Sequence, residues 1–192
     1  MRIIAGKFRG RPLASPRTNA VRPTSDRLRE AVFNVLAHAY DDPVPGARVL
    51  DLFAGTGALG IEALSRGAAW ALFVDESAEA RGLIRANMDA LGLGGCSRLF
   101  RRDATRLGQI SGMAPFSLAF CDPPYGRGLA GQALASARAG GWLQEQALVV
   151  VEEATGAAFA WPEGFREYER RTYGETTVYF GAMTQGDGGA DA

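Results

Sequence analysis

Val49-Leu50-Asp51-Leu52-Phe53 is an apolar run of strand length. It breaks into a glycine loop, Asp51-Leu-Phe-Ala-Gly55-Thr-Gly57-Ala-Leu-Gly60, and the loop opens a helix running through Arg66 and closed by Gly67. Few folds accept a buried strand that turns so abruptly into a helix. The pattern then repeats. Residues 70–75 read as the next strand and 77–91 as the next helix. Strands at 97–102 and 116–121 follow, then a helix over 128–138 and a strand at 148–152. Such alternation predicts an α/β protein with a mainly parallel sheet and helices on both faces. Residues 168–173 and 176–181 are two further strands, and Gly174-Glu175 between them is too short for a parallel crossover. A terminal antiparallel hairpin is therefore expected. With 192 residues and 47% hydrophobic content, one packed domain is the natural reading.

Before this unit, residues 2–14 suggest a short hairpin with Gly6-Lys7 near its turn. Residues 15–23 form a loop ending in Arg22-Pro23. A helix then starts after Thr24-Ser25, with Asp26 in its positive first turn and Leu28, Val32, Val35, Leu36 and Ala39 as its apolar stripe. The expected organisation is a basic N-terminal hairpin and helix packed on the core at 1–46, a cofactor-binding catalytic unit at 47–184 and a disordered tail at 185–192. No apolar run approaches the roughly 18 residues needed to span a bilayer, and the start lacks the apolar length of a secretory signal. Cys96 and Cys121 have no zinc-type spacing. These features predict a cytoplasmic protein with reduced thiols, no membrane partner and no metal.

Net charge is zero, but its distribution is uneven. Residues 1–30 hold eight basic side chains against two acidic ones, and an equal acidic surplus lies in the remainder. The cluster containing Arg2, Lys7, Arg9 and Arg11 is the candidate nucleic-acid contact.

The glycine loop admits two ligands. GxGxxG, with Asp75 as a ribose acid, suits a nicotinamide dinucleotide. Asp51 argues against that reading, because a carboxylate beside a pyrophosphate opposes its charge. S-adenosyl-L-methionine has no phosphate and carries a sulfonium and an α-ammonium, which Asp51 would favour. Phe53, Ala54, Gly55 and Gly57 would shape the loop around this cofactor. Asp75 and Glu76 would take the ribose, and Asp103 with Ala104 the adenine end. Three acids at successive strand ends lie along the sheet edge where open α/β sheets bind ligands.

Asp122-Pro123-Pro124-Tyr125 at the end of the fourth predicted strand is the most specific short motif. An exocyclic base amine is a poor nucleophile because its lone pair is conjugated into the ring. Acceptors on its two hydrogens can localise that pair, and the Asp122 carboxylate and Pro123 carbonyl suit the task. The prolines stiffen the turn so that the carbonyl is preorganised. Tyr125 can stack on a splayed base. Asp122 also falls beside the cofactor. The motif alone allows guanine N2, adenine N6, cytosine N4 or a protein glutamine amide as acceptor. A nicotinamide-dependent oxidoreductase and a non-catalytic assembly factor remain as other classes. His38 reads as a packing or helix-end residue, Arg98 to Arg106 as a solvated face in preference to an RNA patch, and Glu152-Glu153 as a solvated strand end in preference to a lining of the substrate cleft.

Taken with the loop through Gly67, the upstream Arg22-Pro-Thr-Ser-Asp-Arg-Leu-Arg-Glu30 and the opening Met1-Arg-Ile-Ile-Ala-Gly-Lys-Phe-Arg-Gly-Arg11, this motif resembles the bacterial RsmD family. The resemblance covers residues 1 to about 182. It implies a class I, Rossmann-like methyltransferase fold with a seven-stranded sheet whose last strand is antiparallel. It implies methylation of guanine N2 in 16S ribosomal RNA on an assembling small subunit, with ribosomal RNA and small-subunit proteins as partners and a monomeric enzyme. Arg22 and Thr24 would then help hold the methionine end of the cofactor. Tyr125 and Asp75 stand where many relatives have Phe and Glu, swaps that keep the role of each position.

Overall fold

The computed structural model describes residues 1–16 and 25–184. Seven strands form one sheet: β1 (Arg48–Leu52), β2 (Trp70–Val74), β3 (Ser97–Phe100), β4 (Phe116–Cys121), β5 (Leu143–Ala154), β6 (Phe165–Tyr173) and β7 (Thr176–Met183). Their spatial order is β3-β2-β1-β4-β5-β7-β6. β1 pairs in parallel with β2 and β4, β2 with β3, and β4 with β5. β7 lies antiparallel between β5 and β6. The chain order reverses direction across the sheet at β1 and β4, so the crevice at their carboxyl ends is the natural ligand site.

Side-chain alternation divides the interior into two layers. Val49, Phe73, Phe120 and Val150 pack on one face with α1 (Asp26–Ala39), α2 (Ala58–Ser65) and α3 (Ala78–Leu91). Leu50, Leu72, Cys121 and Val151 pack on the other with α4 (Leu129–Ala139). Ser25 caps α1 by accepting from the Leu28 N–H at 3.1 Å, and Ser77 caps α3 in the same way through Ala80. Gly92 ends α3 in the left-handed conformation that glycine adopts without penalty. His38 is exposed in the last turn of α1. Among the described residues, no helix is long and apolar enough to cross a membrane.

The N-terminal segment folds back on itself as a short antiparallel hairpin, with Ile3 N–H donating to the Arg11 carbonyl at 3.0 Å, Gly10 N–H to the Ile3 carbonyl at 2.8 Å and Leu13 N–H to the Met1 carbonyl at 3.2 Å. A single bridge joins Arg2 to Pro12, and residues Gly6–Phe8 form a 3₁₀ turn. This segment spends its remaining backbone groups on the helices beneath it. Glu62 of α2 accepts from Ile4 N–H at 2.8 Å and Ala5 N–H at 3.0 Å. Ser65 accepts from Phe8 N–H at 3.0 Å and donates to the Ala5 carbonyl at 2.6 Å. Asn87 of α3 accepts from Ala14 N–H at 2.7 Å. These side chains satisfy the backbone donors that the short pairing leaves over. Ile3 and Leu13 thereby join the core under α1.

Candidate active site

A cleft of about 1290 Å³ opens at the carboxyl ends of β1, β2, β4 and β5. Its floor is the turn between β1 and α2. The chain reverses at Phe53, which adopts a left-handed backbone (φ 56°) rarely taken by a residue with a side chain. Such a conformation persists only where surrounding packing enforces it, and functional sites are where it concentrates. Gly55 and Gly57 continue the reversal at φ 58° and 78°.

Asp51, at the end of β1, is buried and accepts from the Gly60 N–H at 2.9 Å. Gly60 lies in the first turn of α2, where backbone donors have no partner within the helix. Asp51 thus occupies a donor that a dinucleotide pyrophosphate would use. Burial pushes the Asp51 carboxyl well above the usual carboxylate range, opposed by the Gly60 hydrogen bond and reinforced by the nearby Asp122 and Asp75. A buried acid in that condition is stabilised as a carboxylate by a cation and destabilised by an anion.

Asp75 directly follows β2, as the strand-end reading expects, whereas β3 stops at Phe100 and Asp103 lies beyond it, capping a 3₁₀ turn over Ala104–Arg106. Asp75 accepts from Gly55 N–H at 2.9 Å and from Ser77 N–H at 2.8 Å, one bond on each oxygen. These amides fix the carboxylate beside the glycine loop. Asp103 accepts from Thr105 N–H at 2.8 Å and Thr105 Oγ1 at 2.7 Å, both on Oδ1. The Thr105 side-chain and backbone hydrogen bonds hold the Asp103 carboxyl below its ordinary range.

Facing the loop is the Asp122-Pro123-Pro124-Tyr125 turn, and all four residues line the same cleft. Asp122 N–H reaches back to the Leu52 carbonyl at 3.4 Å. Pro123 is buried and Pro124 exposed. The Tyr125 hydroxyl lies 3.2 Å from Thr176 Oγ1 at the start of β7. Glu153 Oε1 accepts from Gly126 N–H at 2.8 Å and Ala154 N–H at 2.9 Å, so the far end of the turn is tied to β5.

The cleft brings together Asp51, Phe53, Ala54, Gly55, Asp75, Glu76, Asp103 and the Asp-Pro-Pro-Tyr turn. Gly57 and Ala104 do not line it. A methyl group on Gly57 would crowd Ile61 and Phe73 at 3.3 Å each, so its bare backbone serves packing. Arg22 and Thr24 lie outside the described residues. Arg2, Lys7, Arg9 and Arg11 are exposed on the N-terminal segment, outside the cleft lining.

One expectation fails. Glu152 and Glu153 are not a solvated strand end: they retain 2% and 3% exposure. β7 pairs alongside both of them, Glu152 opposite Val178 and Glu153 opposite Thr177, and covers what a parallel edge would leave open. Glu152, Arg27 and the β6–β7 turn at Tyr173 to Thr176 also line the cleft. Lining the cleft was the reading passed over for Glu152, and the β6–β7 turn was not foreseen because its placement depends on β7 inserting between β5 and β6. The carboxylates fit a cationic cofactor such as S-adenosyl-L-methionine, on the ground that the buried acid already engages the helix donor.

The family model described as "Conserved hypothetical protein 95" matches residues 1–182. The chain is similar to "Ribosomal RNA small subunit methyltransferase D" of Escherichia coli K12, 41% identical over 79% of this chain and 74% of that protein. The Haemophilus influenzae protein of the same name is 32% identical over 91% of this chain and 89% of its own. Among solved structures, "Putative methyltransferase yhhF from Escherichia coli" superposes with a TM-score of 0.80 at 32% identity, covering 96% of this chain and 98% of that one. The fold is that of a class I methyltransferase, methyltransferase relatives imply a methyl donor, and the chain belongs to the "Conserved hypothetical protein 95" family, the RsmD family that its motifs resemble.

Proposed function

We propose that this chain transfers a methyl group from S-adenosyl-L-methionine to the exocyclic N2 of a guanine in 16S ribosomal RNA, on an assembling small subunit. The observation that carries the reading is that the acid-lined glycine loop and the Asp-Pro-Pro-Tyr turn open into one cleft. Its relatives are named as small-subunit ribosomal RNA methyltransferases.

When bound, the cofactor supplies an electrophilic methyl carbon on a sulfonium. Asp51 stabilises positive charge at the floor of the cleft. Asp75, held by two amides, accepts from hydroxyls at the ribose position, and Asp103 accepts from an amino hydrogen at the adenine position. Asp122 and the Pro123 carbonyl grip the two hydrogens of the target amine. That grip localises the nitrogen lone pair and aligns it, a contribution of position more than of base strength. Tyr125 presents its ring to the base. The proton shed by the nitrogen passes to Asp122 or to water. A paired guanine must leave its stack first, and the basic N-terminal segment contacts the surrounding RNA.

The test is Asp122→Ala. Methyl transfer to unmodified small subunits should fall by at least about 10²-fold, the scale for removing a preorganised polar group, with cofactor affinity little changed. Full activity in that variant overturns the amine-gripping role. Mapping ribosomal RNA from a deletion strain should reveal one lost N2-methylguanine.

A further inference from the structure

We propose that Glu152 is the residue that selects guanine, by accepting the N1–H beside the amine that Asp122 holds; this rests on the function proposed above. Cys121 and Val151 are register partners on β4 and β5, and both pack in the core on the α4 side. Asp122 and Glu152 follow them directly. Because successive side chains alternate along β5, the Glu152 carboxylate projects to the opposite face, the one shared by Phe120, Val150 and α1, and Asp122, one residue past the end of β4, lines the same cleft. Neighbouring strands lie about 4.8 Å apart, so the two acids form adjacent acceptors along the cleft.

Guanine presents a matching pair of donors, the N1–H and the exocyclic N2 amine, on one edge. Adenine offers an amine beside N1, and cytosine an amine beside N3, and both ring nitrogens are acceptors. A carboxylate at Glu152 therefore complements guanine and meets the other two bases lone pair to lone pair. The placement has the marks of a reading residue. Glu152 is 2% exposed yet lines the cleft. The antiparallel pairing of β5 with β7 holds its backbone opposite Val178. Glu153, its neighbour, is on the other face and ties down the turn after Tyr125. The two consecutive acids thus divide the work, one toward the base and one toward the loop that holds the amine.

The experiment uses reconstituted small subunits carrying guanine or 2-aminopurine at the methylated position. 2-Aminopurine keeps the N2 amine but has an unprotonated N1. Wild-type kcat/KM should fall by about 10- to 100-fold on 2-aminopurine, the range of one base-edge contact. Glu152→Gln should lose a similar factor on guanine and none on 2-aminopurine, because its amide can donate to N1. Calorimetry with S-adenosylmethionine should show wild-type cofactor affinity in the variant. A wild-type enzyme that treats both bases alike overturns the assignment, whatever the variant does. So does a Glu152→Gln enzyme that keeps the wild-type ratio. Absence of any methyl transfer to guanine N2 by wild type would instead overturn the parent reading, and this assignment with it.

Discussion

The Asp51 carboxylate and the Gly60 N–H meet at 2.9 Å, and a methyl group on Gly60 would come within 3.0 Å of the same oxygen and 2.5 Å of the Phe73 ring. Strand end, helix start and buried acid are therefore locked by one glycine. Gly60→Ala tests how tightly. Alanine favours a helix interior by about 1 kcal/mol over glycine. Overpacking a full core costs about 1–3 kcal/mol, and Phe73 has no exposed surface into which to move. The clash should win. The expected outcome is a net loss of about 1 kcal/mol in denaturant unfolding, with weaker S-adenosylmethionine binding. An unchanged midpoint would mean that the turn can relax.

The proposed contact of Asp51 with the cofactor's positive charge predicts that binding depends on pH. The folded Asp51 carboxyl titrates above the ordinary range, chiefly through burial. Its contribution to stability is therefore complete below the unfolded carboxyl pKa and is lost as pH rises through the folded value. A cationic ligand reverses the preference by stabilising the carboxylate. Binding of S-adenosylmethionine should then release a proton. Affinity should rise with pH between the Asp51 pKa of the complex and the raised value of the free protein, then level off. Calorimetry in two buffers of different ionisation enthalpy measures the release. Asp51→Asn should abolish it. Identical apparent enthalpies for wild type in both buffers would remove Asp51 from contact with the cation.

Much of this site was legible because its determinants are local in the chain. A strand running into Asp51, a glycine turn and a following helix are neighbours in sequence, and Ser25 and Ser77 announce their helices by capping chemistry. Strand-end acids follow from the same periodicity. What could not be read depends on contacts between distant segments. Glu62, Ser65 and Asn87 look like ordinary helix residues, yet they anchor residues 4–14 from positions 57 to 73 residues away. Glu152 looks like a strand end until β7 is placed beside β5. Phe53 carries no sign in its residue type of the left-handed backbone that it adopts.

Glu62 joins the N-terminal segment to α1 and α2. It is fully buried and accepts from Ile4 and Ala5 N–H and from Arg66 Nε at 2.8 Å. Arg29, also fully buried, lies with Nε 3.7 Å from its other oxygen. Stranding a buried charge costs about 3–5 kcal/mol, but Arg29 also donates from Nη2 to Asp26 Oδ1 at 2.9 Å and keeps that partner. Glu62→Ala should therefore lose only part of that amount in denaturant unfolding and speed amide exchange in residues 3–13. Gly6→Ala attacks the same junction without touching a charge. Its added carbon would fall 1.9 Å from the Ser65 carbonyl at a backbone φ of 77°, so the segment must lift. If exchange in 3–13 stays slow in both variants, something other than Glu62 and Ser65 holds the segment.

The basic segment is a contact for RNA only if its charge is used there, and the structure separates its members. Arg11 donates from Nη2 to the Ala90 carbonyl at 2.7 Å, so its removal would disturb docking on α3 as well as charge. Arg9 is exposed and follows the Gly6–Phe8 turn. Arg9→Ala is therefore the cleaner probe. Each phosphate neutralised by a basic side chain contributes roughly 0.7–0.9 to the slope of log affinity against log salt. The variant should bind small-subunit RNA more weakly at low salt and lose about that much slope, with folding and cofactor affinity unaltered. At high salt its affinity should converge on that of wild type, because counterion release no longer distinguishes them. A parallel weakening at every salt concentration would point to lost shape complementarity, and an unchanged slope would place the phosphate contacts elsewhere on the molecule.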